Sequence, residues 1–468
     1  MDGANRTQPG GTLTVAVLII ARIRRTSLVF VPRNEERRTV IRSSMLALLL
    51  AILPAAQVRA DLADYVQRPE PKFAWKLIRK IEAPDGIIFD LELVSQVWQD
   101  IPWQHQLQIY QPKGVAPSAT MLLYNTGGKS SVGNIFFGME VARKTKTPVA
   151  ILYGIPNQPL FDGKREDALI AETFVRYLET RDGNWPLLFP MVKSVVKAMD
   201  AVQAFAKEEW KQPVKQFVIS GASKRGWTTW LTAAADPRVK AIAPFVIDTL
   251  NMVEQMEYQK KSFGVYSDML RDYTARKLVP IPPTDEAKKL WSMIDPYFYR
   301  AKLTMPKLMI NGNNDPYWTV DALNLYWDGL TGEKYVTYVP NAGHNLQEPD
   351  GNRTRALNSL SAFVRHQVTD RPLPKLTWQH EDKEGQAHLT VESDTQFRTA
   401  RLWVATAPTR DFRKAKWESQ RVDRIKGMVY GHVDPPKLGF LAFYAEMDFE
   451  IDGIAYTLST QIRVVAAK

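Results

Sequence analysis

Three residues have types and an order in the chain that could support nucleophilic catalysis. Ser223, Asp315 and His344 each follow a short apolar run that is typical of a buried strand. A neutral serine hydroxyl is a weak nucleophile, so a histidine must take its proton and later deliver it to the leaving group. An aspartate beside that histidine would hold the imidazole in the required tautomer. The three residues together therefore predict covalent catalysis through an acyl-enzyme.

The serine lies in the most informative stretch of the chain, FVISGASKRGWTTWLTAAAD at residues 217–236. A strand, a tight turn at Ser223 and a helix would expose the hydroxyl above a sheet and place backbone amides beside it. This pattern is typical of the nucleophile elbow of α/β-hydrolases, although Arg225 replaces the second glycine of G-x-S-x-G and Gly226 follows one residue later. An ordinary strand–turn–helix is the alternative interpretation.

Backbone donors for a developing oxyanion are predicted at two places. The amide of Lys224 directly follows the proposed nucleophile. Gly127 and Gly128 follow the apolar run Ala119–Tyr124, where residues without a Cβ let the backbone approach a substrate. A plain turn would explain the two glycines equally well.

Three further residues are candidates for substrate contacts. Asp248 ends the strand before a long insertion, and it is also a second candidate for the catalytic acid, ranked below Asp315. Arg225 flanks the nucleophile and could bind an anionic substrate group or form a structural ion pair, of which we favour the ion pair. Trp185 lies in the turn-rich loop Thr180–Pro186, which we expect to contribute to specificity.

The arrangement of strands and helices predicts an α/β fold in the first three quarters of the chain. Apolar runs alternate with helical patterns, which predicts a mostly parallel sheet with crossover helices, an α/β-hydrolase domain at residues 61–370. Residues 248–304 break this rhythm and predict a helical cap, whose aromatic side chains could line a pocket or form the cap's own core. Short strands and polar turns at residues 373–468 predict a C-terminal all-β, sandwich-like domain.

Two shorter segments carry less distinctive patterns. Asp61–Glu82 is predicted to be an amphipathic lead-in to the first strand, with aromatic side chains on one face. A helix is predicted at about Thr319–Gly329, between the strand before Asp315 and the strand before His344.

Composition excludes several classes of function. The chain has 468 residues without a cysteine, which excludes disulfides, thiolate catalysis and Cys-ligated zinc. Its six histidines have no metal-binding spacing, so we predict no metal and no cofactor. The net charge of +11 is concentrated in part at the N-terminus and otherwise dispersed, which argues against a nucleic-acid partner.

The N-terminus has the pattern of an export signal. A basic stretch around Arg37 precedes the apolar run at residues 45–54, and residues 58–60 fit a small-x-small cleavage site. Residues 1–60 are therefore predicted to be an extension and a signal peptide, which gives a periplasmic or secreted mature chain without a stable membrane span. An uncleaved membrane anchor is the alternative, although the apolar run is too short to cross a bilayer.

At this point the chain resembles the PhoPQ-activated pathogenicity-related proteins, whose eukaryotic members include an autocrine proliferation repressor. The likeness covers about Asp61 to the C-terminus and is carried by four stretches: GASKRGWT at 221–228, WPLLFPMVK at 185–193, NGNND at 311–315 and NAGH at 341–344. It implies a secreted or periplasmic α/β-hydrolase linked to virulence and to resistance to cationic antimicrobial peptides. A weaker likeness to glucuronoyl esterases, where a glycine also follows the serine by three residues, implies a bulky or acidic ester.

Two functions from different classes fit the sequence. The first is a serine hydrolase that cleaves a small-molecule or envelope-derived ester, or an amide. The second is a secreted binding or signalling protein on a hydrolase scaffold with a weak or silent triad, because fold alone does not imply function. We favour the enzyme because binding would not require a serine, an aspartate and a histidine together. The sequence does not indicate the oligomeric state.

Overall fold

One long sheet runs through most of the chain and positions the candidate site. The computed structural model describes residues 61–425 and 427–468, and the predicted export signal within residues 1–60 lies outside them. In chain order the described strands are β1 (Ala74–Ala83), β2 (Gly86–Trp98), β3 (Ile101–Pro112), β4 (Thr120–Asn125), β5 (Val149–Leu152), β6 (Gln216–Ala222), β7 (Val239–Phe245), β8 (Lys307–Gly312), β9 (Lys334–Val339), β10 (Leu376–Lys383), β11 (Gln386–Ser393), β12 (Ala400–Ala407), β13 (Glu418–Gln420), β14 (Asp423–Ile425), β15 (Met428–Val433), β16 (Phe440–Ile451), β17 (Ile454–Ser459) and β18 (Arg463–Ala466).

Helices fill the connections between β4 and β8, and two more lie before β1 and after β9. In chain order they are α1 (Leu62–Gln67), α2 (Val132–Thr145), α3 (Glu166–Thr180), α4 (Leu188–Phe205), α5 (Lys224–Ala235), α6 (Met252–Phe263), α7 (Arg271–Thr274), α8 (Asp285–Ile294) and α9 (Thr354–Val368). A π-helical turn (Ala206–Trp210) extends α4, and 3-10 segments lie at Asp268–Leu270, Pro296–Lys302 and Ala322–Leu325. Of the helices in the described part of the chain, none combines the length and apolar character needed to cross a membrane.

The centre of the sheet is parallel. Strands β5, β4, β6, β7, β8 and β9 lie side by side in the same direction. Antiparallel strands β1 to β3 extend one edge, and C-terminal strands extend the other, giving fourteen strands in the described sheet. The parallel centre with crossover helices confirms the α/β-hydrolase fold expected from the sequence.

Apolar runs in the central strands are buried on both faces. Leu122 and Val218 are register partners on β4 and β6 and belong to one core cluster, while the next pair, Leu123 and Ile219, belongs to the cluster on the opposite face. Successive side chains of a strand point to opposite faces, so a strand covered by helices on both sides must be apolar throughout. This covering leaves the carboxyl ends of the parallel strands as the place where polar side chains can gather.

The β-rich C-terminal region joins the same sheet. Strand β17 pairs with β9 at Ser459 and Val336, and β16, β12, β13 and β18 follow beyond it. A second antiparallel sheet has the order β10-β11-β15-β14. Leu389 and Val391 of that sheet and Phe443 of β16 belong to one apolar cluster, so the two sheets pack face to face. The hydrogen-bonded sheet crosses the predicted boundary between the two domains, and that boundary stays a prediction.

The insertion between β7 and β8 is helical, as predicted, but two other segments differ from their predictions. Asp61–Glu82 forms α1 and most of the exposed edge strand β1 rather than a single amphipathic lead-in. Within Thr319–Gly329 there is only a 3-10 turn. Its side chains are drawn to separate neighbours: Asn324 Nδ2 donates to Ile462 O at 2.9 Å, whereas the Tyr326 hydroxyl donates to a buried carboxylate. These tertiary contacts override the local helical pattern.

A buried carboxylate connects the last helix of the hydrolase core to the C-terminal strands. Glu446 on β16 has no exposed side-chain area, and it pairs with Arg355 of α9 and, at 2.6 Å, with Arg401 of β12. The indole of Trp403 donates to the same carboxylate at 3.2 Å. Because removing one partner of a buried ion pair leaves an uncompensated charge, this contact is expected to matter for stability.

We expect Glu446→Ala to lower the free energy of unfolding by about 3 kcal/mol, because two guanidinium groups lose their shared partner. Urea denaturation followed by circular dichroism would measure the change. Glu450→Ala is a matched control on the same strand, since its pair with Arg398 is exposed and should contribute less than about 1 kcal/mol. Equal destabilisation by the two substitutions would contradict the argument from burial.

Candidate active site

Ser223 lies in a sharp turn between β6 and α5. Its backbone has φ 58° and ψ −125°, a conformation that a residue with a side chain rarely adopts. Its amide donates to Phe245 O at 2.9 Å, and its carbonyl accepts from the amide of Trp227 at 2.9 Å. Strained backbone of this kind persists only where surrounding contacts hold it, and a strained strand-to-helix turn is the geometry of a nucleophile elbow.

Two glycines allow the strand and the helix to meet at this turn. A Cβ added at Gly221 would lie 2.8 Å from Arg225 O, and one at Gly226 would lie 3.0 Å from both Gly221 O and Phe245 O. Real side chains do not tolerate such contacts with backbone atoms. The departure from G-x-S-x-G therefore preserves the close packing of strand and helix, because Gly226 takes the place of the second glycine. Position 225 can then carry a long side chain.

The long side chain of Arg225 connects the start of α3 to the loop after β5 and packs against the loop after β4. Its guanidinium donates to both carboxylate oxygens of Glu166 at 2.7 Å, and its Nε donates to Ile155 O. A Cβ at Gly127 would lie 2.1 Å from Arg225 Nη2, so the absence of a side chain there is required for this contact. Arg225 thus forms the ion pair favoured from the sequence, and its guanidinium packs against Gly127 in the loop after β4.

Lys224 continues the same charge network. Its Nζ lies 3.1 Å from Asp167 Oδ2 and 3.4 Å from Glu166 Oε2, and its side chain is almost fully buried. Burial raises the pKa of Glu166, but the hydrogen bonds and charge of Arg225 outweigh burial and lower that pKa to about 2. Both cations beside Ser223 are therefore paired with carboxylates at the start of α3.

Backbone amides around this turn are available to a ligand. In the described part of the chain, the amides of Gly127, Gly128 and Lys224 donate no hydrogen bond to another group. Lys224 is the first residue of α5, where amides lack partners within the helix. Asn125, at the end of β4, donates to Ser220 O at 2.8 Å and so connects the loop to the elbow strand.

Asp315 and His344 meet beyond the ends of β8 and β9. Asp315 Oδ2 lies 2.8 Å from His344 Nδ1, and its other oxygen accepts from the amide of Tyr317 at 2.9 Å. The Asp315 side chain is 5% exposed and that of His344 is 25% exposed. With Nδ1 held by the carboxylate, Nε2 is the ring atom left to accept a proton.

Ser223 lies at the same edge of the sheet as Asp315 and His344. Within the described residues, no hydrogen bond joins Ser223 Oγ to His344. A serine–histidine bond of this kind commonly tightens only when substrate binds. The described residues also contain no group of three or more His, Asp or Glu side chains that could hold a metal ion.

The loops that carry the acid and the histidine are packed against each other. A Cβ at Gly312 would lie 2.5 Å from Ala342 O and 2.6 Å from Gly343 O, so a glycine is needed there. The amide of Asn314 also donates to Ala342 O at 2.9 Å. These backbone contacts keep the two loops at a fixed separation.

The C-terminal region holds both of these loops from outside. The Asn314 side chain donates to Ala415 O at 2.7 Å. Asn341 exchanges two hydrogen bonds with the backbone of Trp417, at 2.8 and 2.9 Å. A segment that the sequence assigned to a separate β domain therefore positions the loops of Asp315 and His344.

A small cavity opens beside Ser223 under the cap. The ring of Tyr317 lines it and lies tilted against the His344 ring, with the centroids 4.3 Å apart. Asp167, also in its wall, accepts hydrogen bonds from the hydroxyls of Tyr273 and Tyr317 at 3.1 and 3.3 Å. Sequence reasoning missed Asp167 and Tyr317. Tyr317 has a local signal, because it lies two residues after Asp315, whereas Asp167 has none.

Trp185 lies elsewhere. Its ring packs edge-on against Trp98 and is tilted against Phe161, with centroids 6.0 and 5.7 Å away, and the guanidinium of Arg176 lies 4.9 Å from its centre. It is not among the described residues that line the cavity at Ser223. The loop of Trp185 thus contributes to an aromatic cluster beside the strands rather than to that cavity.

Comparison with known proteins decides the family. The model of a family described as PhoPQ-activated pathogenicity-related protein matches residues 62–413. The chain belongs to that family. This confirms the resemblance noted in the sequence. Autocrine proliferation repressor protein A of Dictyostelium discoideum is 34% identical over 445 residues, covering 87% of this chain and 89% of that protein.

The chain resembles solved structures less closely. Acetyl xylan esterase 1 from a Thermoanaerobacterium species is 14% identical and covers 66% of this chain and 94% of its own, with a TM-score of 0.45. A glucuronoyl esterase from Solibacter usitatus is 12% identical and covers 64% and 87%, with a TM-score of 0.42. Likenesses at this level carry no conclusion about substrate.

Asp248, the second candidate acid, bonds to Tyr326 and not to His344. Asp248 Oδ1 accepts from the Tyr326 hydroxyl at 2.6 Å, and the carboxylate is buried. Burial raises the pKa of Asp248 to about 7; the Tyr326 hydrogen bond opposes this rise, and the charges of Asp315 and Asp321 add to it. Asp315 is therefore the carboxylate that holds His344, and Asp248 is partly protonated near neutral pH.

The raised pKa of Asp248 predicts a pH-dependent stability. From an ordinary value of 3.8 the pKa rises to about 7 on folding, so the folded protein keeps a proton that the unfolded chain loses. Stability from this group is complete below pH 3.8 and is lost as pH rises through about 7. We expect Asp248→Asn to gain stability relative to wild type across this window, by on the order of 4 kcal/mol.

Urea denaturation at several pH values between 4 and 7 would measure this gain. Asp162→Asn is the control, since that carboxylate is almost fully exposed and the difference from wild type should not change with pH. A stability difference between wild type and Asp248→Asn that is constant over the window would contradict the shift.

Proposed function

We propose that this protein is an exported serine hydrolase that cleaves esters through an acyl-enzyme. The observation that carries the proposal is the pairing of His344 with Asp315 at the sheet edge where Ser223 occupies a strained elbow. All three residues follow parallel strands, and the carboxyl ends of such strands are the usual binding edge of an α/β sheet. Export rests on the pattern in residues 1–60, a role in virulence rests on the family's description, and antimicrobial-peptide resistance rests on the resemblance noted in the sequence.

The chemistry follows from the positions of the protons. Nε2 of His344 takes the proton of Ser223 Oγ as that oxygen attacks the ester carbonyl. The resulting oxyanion accepts hydrogen bonds from the amide of Lys224 and from the Gly127–Gly128 loop. The imidazolium, stabilised by Asp315, then protonates the leaving alcohol, and water releases the acyl group by the reverse sequence.

A second function remains as an alternative because of one relative. Autocrine proliferation repressor protein A is named for an effect on proliferation rather than for a reaction. A binding or signalling protein could keep this scaffold with a silent triad. A biological effect that persisted fully in Ser223→Ala would favour this alternative.

A fluorophosphonate probe, which reacts only with activated serines, tests the proposed triad. We expect the mature protein to be labelled, and Ser223→Ala and His344→Ala to lose labelling, because the first removes the nucleophile and the second its base. Ser220→Ala is the control, since that hydroxyl is buried on the same strand and donates to Ala243 O. Absence of labelling in folded wild type would exclude a working triad.

A substitution at Gly127 tests the proposed oxyanion loop. We expect Gly127→Ala to lower kcat on p-nitrophenyl acetate by about 10-fold or more, because the Cβ would displace the Arg225 guanidinium and the amides beside it. Gly133→Ala, at the start of α2, is the control, since its Cβ would meet only one side-chain atom, at 3.9 Å. Comparable losses in the two variants, with wild-type folding by circular dichroism, would contradict a role for this loop.

A further inference from the structure

The cavity beside Ser223 has a nearly continuous apolar wall. Trp227 of the core contributes to it, and the cap supplies Met252, Met256, Leu270, Val279 and Trp291. Each of these side chains is less than a tenth exposed, so the wall is packed and not free to open without movement of the cap.

The free volume of this cavity is small. It amounts to about 50 Å³ of space for water-sized spheres. For comparison, an engineered protein cavity of about 150 Å³ binds benzene, so this space suits a smaller group. A substituent of two or three carbons would fill it, whereas a longer chain would have to displace packed side chains.

Charge in the cavity favours an uncharged occupant. Lys224 is the one cation among the described residues that line it, and its ammonium group already pairs with Asp167 and Glu166. Asp167 contributes a carboxylate to the same wall. An acidic substituent would therefore meet a negative charge without a free cation, which disagrees with the acidic ester implied by the likeness to glucuronoyl esterases.

The position of His344 indicates where the acyl and alcohol parts of an ester would lie. His344 must protonate the leaving alcohol, but it is not among the described residues that line the cavity, and Tyr317 stands between the two. The histidine is also the more exposed member of its pair with Asp315. The alcohol therefore leaves on the solvent side, and the acyl group occupies the cavity next to Ser223.

We propose that this cavity is the acyl site and that it selects short, uncharged acyl groups of about two to four carbons, with the alcohol outside it. The inference rests on the proposed serine hydrolase and adds its substrate class. The cap acts as the limit on acyl length, and the alcohol half of the substrate can be large.

A chain-length series of p-nitrophenyl esters tests the acyl site. For wild type we expect kcat/KM to be similar for acetate and butyrate and to fall by about 30-fold or more for octanoate, because overpacking opposes the longer chain. Truncating the wall with Met256→Ala should raise the octanoate-to-butyrate ratio by about 10-fold. Val279→Ala provides a second opening of the same wall.

The matched control is Met293→Ala, which truncates a buried cap methionine that does not line the cavity. Its octanoate-to-butyrate ratio should equal that of wild type. An equal rise in this ratio in Met293→Ala and Met256→Ala would overturn the proposal, because the cap would then limit access only through its general stability.

Other outcomes separate this inference from the proposed function. If wild type is labelled at Ser223 but hydrolyses octanoate as well as butyrate, the hydrolase stands and the acyl limit falls. If the p-nitrophenyl ester of glutaric acid, corrected for spontaneous hydrolysis, is cleaved as fast as butyrate, the exclusion of charge is wrong. If the probe does not label Ser223 and no ester is cleaved, both proposals fail.

Discussion

The strained backbone of Ser223 is the constraint on which the rest of the site depends. A residue with a side chain in this conformation costs about 1–3 kcal/mol, so neighbouring contacts must hold it. Gly221 and Gly226 let strand and helix close around the turn, and Asn125 fastens the next strand to it. Arg225 occupies the position where G-x-S-x-G has its second glycine, and its side chain pairs with Glu166 and packs against Gly127. The backbone conformation of Ser223 thus determines which residue types the neighbouring positions can accept.

Support for the site comes from both sides of the sheet centre. On the serine side, Glu166 and Asp167 at the start of α3 pair with Lys224 and Arg225. On the histidine side, backbone and amide contacts from the C-terminal region hold Asn314 and Asn341. The cap closes the space between them with apolar side chains. Polar groups therefore position the candidate triad, while apolar side chains of the cap line the cavity beside Ser223.

Local signals in the sequence were sufficient for the fold and for the order of the candidate residues. The elbow, the strand-end acid and the histidine are visible because each follows an apolar run. The contacts of Asp167 and Asn341 were not visible, because they depend on segments that lie far away in the chain. Likewise, Thr319–Gly329 has a helical pattern, but its side chains find partners in three distant places. Edge strand β1 was missed because a register shift between Leu77 and Arg79 interrupts the alternation of its partly buried side chains.

The bonds from Trp417 and Ala415 have a consequence for how the protein matures. A ribosome delivers the chain from its N-terminus, so the elbow, the acid and the histidine all emerge before the segment that secures their loops. Strand β17, which completes the sheet beside β9, emerges later still. Contacts between such distant parts of a chain form late in folding, because long loops must close first. The loops of Asp315 and His344 are therefore expected to be fixed only after the segment around Ala415 and Trp417 has packed against them.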